Sequence, residues 1–229
     1  MHEKRFSIGP LGSVDKVEIQ VVVDNATDSL SSIPAHAESE FAYLERHGMR
    51  ELSGESLCCA CHGLSLLITA TRGDLTLSVL FDSGPEEYAF ERNSARLGLH
   101  LESVESVVPS HGHWDHAGGM LRALELVRAC NGGRSTPYYA HPGMFRSRAR
   151  RRPDGEFLPM KDVPGIEALT AHGADVNCTR EPRIFLDGMF YLSGEIPRVT
   201  SFEPACPRTI KSPRTRVGNR IPCSWTSGS

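Results

Sequence analysis

Apolar residues follow two different periods along this chain, and the two periods alternate. Val17, Ile19, Val21 and Val23 alternate with Glu18, Gln20 and Asp24, which predicts a half-buried strand over residues 17–24. Residues 117–127 carry apolar side chains three and four positions apart, which predicts an amphipathic helix. The predicted strands are 17–24, 64–69, 75–81, 104–108 and 137–140, and the predicted helices are 38–47, 86–97, 117–127 and 164–172. An Asp187-Gly188 turn further predicts a hairpin over 183–192. This mixed order favours an α/β fold.

The chain has 229 residues, which is enough for one sizeable core, so we expect one domain over residues 1–206. Residues 25–57 are polar and interrupted, and they form either a lid or pocket wall over that domain or a disordered segment. Residues 207–229 are basic, lack acidic side chains and lose apolar periodicity, which predicts a disordered tail. This tail has two other interpretations. It could contact a polyanion, or it could come from an alternative reading frame or splice end.

Composition narrows the class of protein. The formal net charge of −3 argues against a nucleic-acid binder. No apolar run approaches the roughly 18 residues of a spanning helix, and the first six residues do not resemble a signal peptide. Seven cysteines do not suit a closed disulfide framework. We therefore expect a cytoplasmic protein without a membrane partner.

Four side chains able to bind a metal lie within six residues, between a predicted strand and a predicted helix. They are His111, His113, Asp115 and His116. Imidazole and carboxylate suit zinc, and also iron or manganese. Two ions would divide the four groups into a His111/His113 pair and an Asp115/His116 pair, and could share a hydroxide as nucleophile. The competing interpretation is a polar surface loop. Gly118 and Gly119 argue against it, because glycines allow the backbone to approach a bound ion closely.

The segment Ser110–Gly119, SHGHWDHAGG, resembles the HxHxDH signature of the metallo-β-lactamase superfamily. Further matches occur in the order expected of that family, over roughly residues 15–204. They are Leu80-Phe81-Asp82-Ser83-Gly84, Val21-Val22-Val23-Asp24-Asn25, His62-Gly63-Leu64-Ser65, Ala140-His141-Pro142 and Ser193-Gly194-Glu195-Ile196-Pro197-Arg198. Together they resemble the branch that includes dihydropterin-ribofuranosyl-aminobenzene phosphate synthases.

This resemblance implies a fold, a cofactor and a set of roles. The fold is an αββα sandwich, and the cofactor is zinc at two sites, with Asp115 orienting the nucleophile. Asp82 would accept a hydrogen bond from a metal-bound imidazole and so fix the orientation of that ring. The alternative is that Asp82 is an ordinary turn residue. His62, His141 and Arg198 would line the pocket for a small, anionic or phosphorylated substrate. The structural alternatives are a plain packed or exposed His62 and an Arg198 paired with Glu195.

The sequence departs from that branch after Arg198, because the Gly-Cys-Ser-His-type motif and the final histidine of the family have no counterpart and no histidine follows His172. The resemblance therefore implies an αββα sandwich that is incomplete at its C-terminus. Two functions follow from this. One is a metal-dependent hydrolase or related transferase whose activity truncation impairs. The other is a non-catalytic truncated isoform or remnant that binds only metal or a partner.

Two other clusters have both structural and functional interpretations. Cys58, Cys59, Cys61 and His62 do not have the usual spacing of a zinc site, which favours reduced thiols beside a strand over a second metal centre. The arginine run over 146–152 is either a solvated face or a clamp for a substrate phosphate.

Overall fold

A computed structural model describes residues 10–28, 30–197 and 199–200, together with the backbone of 209–211. The strands are β1 Lys16–Val23, β2 Ser65–Arg72, β3 Leu75–Phe81, β4 Val104–Val108, β5 Thr136–Ala140, β6 Arg148–Arg151, β7 Phe157–Pro159, β8 Ala174–Cys178, β9 Arg183–Phe185, β10 Phe190–Leu192 and β11 Thr209–Lys211. The helices are α1 Glu40–Arg46, α2 Glu87–Leu97, α3 Trp114–Ala117, α4 Met120–Cys130 and α5 Ile166–Ala171.

A six-stranded mixed sheet forms the centre of the fold, in the order β1-β2-β3-β4-β5-β8. The first three strands are antiparallel, and β3, β4, β5 and β8 run parallel. The α/β class predicted from the sequence is confirmed. The parallel half brings the carboxyl ends of β3, β4 and β5 to one edge, where open α/β sheets carry their sites.

The helices α2, α4 and α5 pack on one face of this sheet. Their buried side chains belong to one cluster with those of the strands, and that cluster includes Phe90, Leu124, Leu169, Leu80 and Val107. Phe90 and Val107 are completely buried. Burial of this kind contributes about 25 cal/mol for each Å² of apolar surface removed from water. The helix layer therefore fixes the sheet that carries the candidate site.

The opposite face of the sheet carries the hairpin of β9 and β10. Tyr139 contacts Phe185 of β9 with 5.1 Å between ring centroids, while its neighbour Tyr138 is buried on the helix side. This hairpin does not cover β1. Val17, Ile19 and Val21 are 51–57% exposed, although their alternation predicted a buried face. The reason is that β1 is the edge strand of the central sheet, and its second face has no covering layer in the described part of the chain.

Residues 25–57 contain the predicted short helix, observed as α1 and followed by Gly48 at φ 103°. Side chains and carbonyls of this segment form hydrogen bonds with helix α2. The Tyr43 hydroxyl donates to Leu97 O at 3.0 Å, and the Arg96 Nε donates to Glu55 O at 2.7 Å. The lid interpretation of this segment stays a prediction.

A small sheet in the order β11-β6-β7 completes the described structure. Its strand β11 belongs to the predicted basic tail, of which only the backbone of 209–211 is described, and it pairs antiparallel with β6. The division into a domain over 1–206 and a tail over 207–229 stays a prediction. Among the described residues, no helix combines the length and the apolar character needed to cross a membrane.

Candidate metal centre

The four predicted ligands lie at the carboxyl edge of the parallel strands. Phe81 of β3 lies opposite Val108 of β4 in parallel register. Asp82, directly after β3, therefore lies beside the loop that follows β4. That loop carries His111 and His113, and α3 then carries Asp115 and His116. The strand-to-helix position predicted from the sequence is the observed one.

Asp82 is completely buried and is surrounded by donors from the histidine loop. Its Oδ1 accepts from the Ser110 backbone N–H, and its Oδ2 accepts from the Ser110 hydroxyl and from His116 Nδ1, each at 2.7 Å. Burial raises the pKa of Asp82, and these hydrogen bonds from Ser110 and His116 oppose that rise. An ionised carboxylate only accepts hydrogen bonds, so His116 donates to Asp82 through Nδ1 and presents Nε2 towards Asp115, 3.6 Å away.

Ser110 extends the same reasoning to His111. Its single hydroxyl proton is donated to Asp82, so its oxygen accepts from His111 Nδ1, 2.9 Å away. His111 is therefore also held through Nδ1, which leaves its Nε2 available to a metal. Asp82, Ser110 and the two imidazoles form one network that orients both rings, as is common for metal-binding histidines. The sequence analysis missed Ser110, although its place directly before the motif was the available signal.

The three imidazole rings lie together at the end of this network. The ring centroids of His111 and His113 are 4.5 Å apart, and those of His111 and His116 are 4.3 Å apart. Burial, with the neighbouring His116 and His113 rings, lowers the pKa of His111 to about 4. Burial and the Arg148 charge lower the pKa of His113. Both rings are therefore neutral at pH 7, the form in which imidazole binds metals.

Asp115 adds a carboxylate to the cluster. Its Oδ2 lies 3.6 Å from His116 Nε2 and 3.7 Å from His62 Nε2. Two ligands of one tetrahedral zinc lie about 3.3 Å apart, given zinc–nitrogen distances of about 2.0–2.1 Å. The Asp115/His116 pair is thus near the spacing of two ligands on one ion. The His62 side chain is 71% exposed, and its ring lies 5.7 Å from that of Trp114. Its role in a pocket stays a prediction.

The chemistry of these side chains suits a metal, because the cluster contains neutral imidazoles, a carboxylate and a hydrogen-bond network that orients the rings. Within the described residues, however, no three His, Cys, Asp or Glu side chains converge on one point in a metal-binding arrangement. The assignment of His111, His113, Asp115 and His116 as ligands, with Asp82 behind them, therefore stays a prediction.

Two glycines of the motif allow neighbouring loops to pack against it. A Cβ at Gly112 would lie 2.1 Å from Met144 O, and one at Gly118 would lie 1.9 Å from Pro85 O. The sequence analysis attributed Gly118 to backbone pressed against an ion. The structure shows instead that Gly118 admits the loop that follows β3, with its N–H donating to Gly84 O at 3.1 Å.

Arg148 joins the histidine loop to the loop after β5. Its Nη1 donates to the carbonyls of Gly112, Met144 and Arg146 at 2.5–3.0 Å, and its Nη2 donates to Gly143 O at 3.1 Å. A guanidinium engaged with four carbonyls is not free to bind a phosphate. In the arginine run, Arg148 therefore has a positioning role, whereas Arg146 and residues 150–152 are exposed.

The remaining predicted pocket residues are only partly described. His141 accepts from the Gly143 N–H at 2.9 Å through Nδ1, and its Nε2 lies 3.6 Å from Glu195. Glu195 pairs with Arg180, a residue that the sequence analysis did not single out. Arg198 lies outside the described residues, so neither interpretation of it is tested. His141 thus lies in one polar cluster with Arg180 and Glu195, and its role in a pocket stays a prediction.

The protein belongs to the class of α/β proteins with a mixed sheet and a loop rich in histidine and aspartate at the carboxyl edge of its parallel strands. A sequence model of the metallo-beta-lactamase superfamily matches residues 60–182, which is more than half of the chain. The chain belongs to the metallo-beta-lactamase superfamily.

Similar proteins include one curated relative and several solved structures. The 7,8-dihydropterin-6-methyl-4-(beta-D-ribofuranosyl)-aminobenzene-5'-phosphate synthase of Methanocaldococcus jannaschii is 26% identical over 135 residues, which are 59% of this chain and 44% of the relative. The chain thus spans less than half of that relative. The Rm3 metallo-beta-lactamase is 23% identical over 58% of this chain and 44% of its own, with a TM-score of 0.36. The soil-metagenome enzyme MEM-A1 is 21% identical over 53% of this chain and 42% of its own, with a TM-score of 0.29.

Asp82→Asn should weaken metal binding. The amide cannot accept hydrogen bonds from Ser110 and His116 through both of its ends, so both imidazoles lose their orientation. We expect a 10–100-fold rise in the Kd for zinc, about the effect of outer-shell changes at other metal sites. Competitive titration against a chromophoric chelator measures it.

The control is Asp74→Asn, in the exposed turn between β2 and β3, which should leave the Kd unchanged. Ser110→Ala should cause a smaller loss than Asp82→Asn, because His116 keeps its contact with Asp82. An Asp82→Asn protein that binds zinc as tightly as the parent would contradict the orienting role.

Arg148→Met should also weaken zinc binding, because it removes the cation that holds Gly112 between the two histidines. We expect a rise in the Kd of about 10-fold, at the lower end of outer-shell effects. Arg150→Met removes an exposed arginine of the same strand and should have no effect. If the two variants bind zinc equally, Arg148 does not position the histidines.

Proposed function

We propose that this chain is a metal-dependent enzyme that acts on a small, anionic substrate by hydrolysis or by a related transfer. The observation that carries the proposal is the Asp82–Ser110 network, which holds Nδ1 of both His111 and His116 and leaves Nε2 of each ring available to a metal. A loop without a metal function gains nothing from two aligned imidazoles beside a carboxylate.

The roles proposed for the individual residues follow from their positions. His111 and His113 would hold one ion, and Asp115 and His116 a second one, with zinc first among the candidates and iron or manganese as alternatives. A bound divalent ion lowers the pKa of water towards 7 and so supplies a nucleophile at neutral pH. Asp115, whose Oδ2 lies between His116 and His62, would orient that nucleophile and accept its proton.

An anionic substrate is supported by the charges around the site. Arg146 and the arginines at 150–152 are exposed and follow the loop that Arg148 ties to Gly112. Within the described part of the chain these four side chains form no ion pair. Exposed cations raise the local concentration of anions. The synthase relative is named for a phosphate-bearing product, which makes a phosphorylated small molecule the substrate class to test first.

A second candidate function is non-catalytic binding of a metal or of a partner. The observation in its favour is that no three donors converge within the described residues. Two ligands for each ion are one fewer than the three protein ligands of a typical catalytic zinc. This candidate predicts weak metal binding without turnover.

Metal-dependent turnover separates the two functions. The full chain is freed of metal, reloaded with zinc, manganese or ferrous iron, and assayed on an activated phosphodiester and on a lactam. The proposal predicts turnover that depends on added metal. It also predicts a large loss of turnover in His113→Ala. That loss should exceed the factor of about 10–100 caused by changes to residues that only orient a metal ligand.

His100→Ala is the matched control, because His100 is an exposed histidine paired with Glu102 rather than with the cluster. It should keep full turnover. A chain that is saturated with each metal and turns over neither substrate contradicts the enzymatic proposal and favours the binding function. Turnover that survives His113→Ala would mean that the activity arises elsewhere.

A further inference from the structure

Cys59 and Cys61 point in one direction on the segment that leads to the candidate metal centre. Both are half-buried and pack against the hydrophobic core, whereas Ala60 between them is exposed. Alternation of this kind places the side chains at i and i+2 on one side of an extended segment. Both cysteines are free thiols.

The backbone of each cysteine is held by its own set of hydrogen bonds. The buried Asn93 accepts from the Cys59 N–H at 2.9 Å and donates to Cys59 O at 2.9 Å and to Val22 O at 2.8 Å. The Cys61 N–H donates to Asp24 O at 2.9 Å. The separation of the two cysteines is therefore fixed by α2 and by the end of β1, before any ligand binds.

The three neighbouring thiols have different surroundings. Burial and the neighbouring Cys59 raise the pKa of Cys61. The Cys59 thiol donates to Asn93 Oδ1 at 3.4 Å. The backbone N–H of Cys58 donates to Glu40 at 2.6 Å, and burial with this neighbouring carboxylate raises the pKa of Cys58 to about 12. Since no third donor completes a metal-binding group in the described residues, a tetrahedral zinc site is not formed here.

We propose that Cys59 and Cys61 form a preorganised dithiol site for soft, thiophilic ions, which bind through both sulfurs. Thiolate ligands select soft ions over the harder ions preferred by imidazole and carboxylate. Because the two backbone positions are already fixed, binding costs little ordering of the protein. This site is separate from the histidine cluster and does not depend on the proposed function.

A trivalent aryl arsenical, phenylarsine oxide, is the probe. Each arsenical that binds forms two As–S bonds, while the two thiol protons leave with the arsenic-bound oxygen as water and arsenic stays trivalent. The full chain carries Cys206→Ser and Cys223→Ser to remove the thiols outside the described residues. Intact mass measures the adduct after washing with a monothiol.

The proposal predicts one adduct per chain that resists a monothiol and is removed by a small dithiol. Cys59→Ser and Cys61→Ser should each lower its retention by about 100-fold, the scale of losing one arm of a bivalent contact. Cys58→Ser is the matched control and should keep the adduct. Iodoacetamide should modify the exposed Cys130 faster than Cys61, because protonated thiols are poor nucleophiles.

Thermal melting of each variant shows whether it remains folded, and Cys61→Ser alone decides the matter if Cys59→Ser unfolds. An adduct that survives Cys61→Ser, or that is lost equally in Cys58→Ser, would overturn the dithiol site.

Discussion

The arrangement of the candidate site depends on the buried carboxylate of Asp82, which needs hydrogen-bond donors around it. An ionised carboxylate without solvent costs several kcal/mol unless hydrogen bonds replace the lost water. Here the Ser110 N–H, the Ser110 hydroxyl and His116 Nδ1 supply those bonds, each at 2.7 Å. Hydrogen bonds to a charged group contribute about 1.5–3 kcal/mol each. The hydrogen bonds that offset the burial of Asp82 are therefore also the ones that align the histidines.

The backbone around this carboxylate is adapted to the same task. Asp82 has φ 59°, a left-handed conformation that a non-glycine residue adopts at a cost of about 1–3 kcal/mol. Gly112 and Gly118 allow the loops after β5 and β3 to press against the histidine loop from two sides, and Arg148 ties one of them down. The rings are thus held by packing as well as by hydrogen bonds, as expected of a preorganised site.

Local patterns in the sequence were sufficient wherever an element obeys its own periodicity. The strand over 75–81, the helix that ends before Gly98 and the Asp187-Gly188 hairpin are all observed as predicted. The motif itself predicted the clustering of the imidazoles, because alternating residues before a helix have few arrangements. These inferences needed no knowledge of distant contacts.

Other features depend on contacts between distant residues, which no local pattern contains. The exposure of Val17, Ile19 and Val21 follows from the edge position of β1. Arg148 could not be told from its neighbours until the Gly112 carbonyl was seen beside it, 36 residues away. β8 was not predicted, because its Ala-Asp-Val-Asn-Cys segment is short and contains Asp and Asn, which are uncommon in strands; parallel pairing with β5 stabilises it.

X-ray absorption spectroscopy of the zinc-loaded chain tests the central claim most directly, because it reports the atoms bound to the metal. The account predicts a first shell of nitrogen and oxygen at about 2.0–2.1 Å with imidazole scattering, which decreases in His116→Ala. A shell of sulfur at about 2.3 Å would place the metal on the cysteines instead. That result, or an oxygen-only shell that is unchanged in His116→Ala, would contradict the claim that Asp82 orients a histidine metal centre.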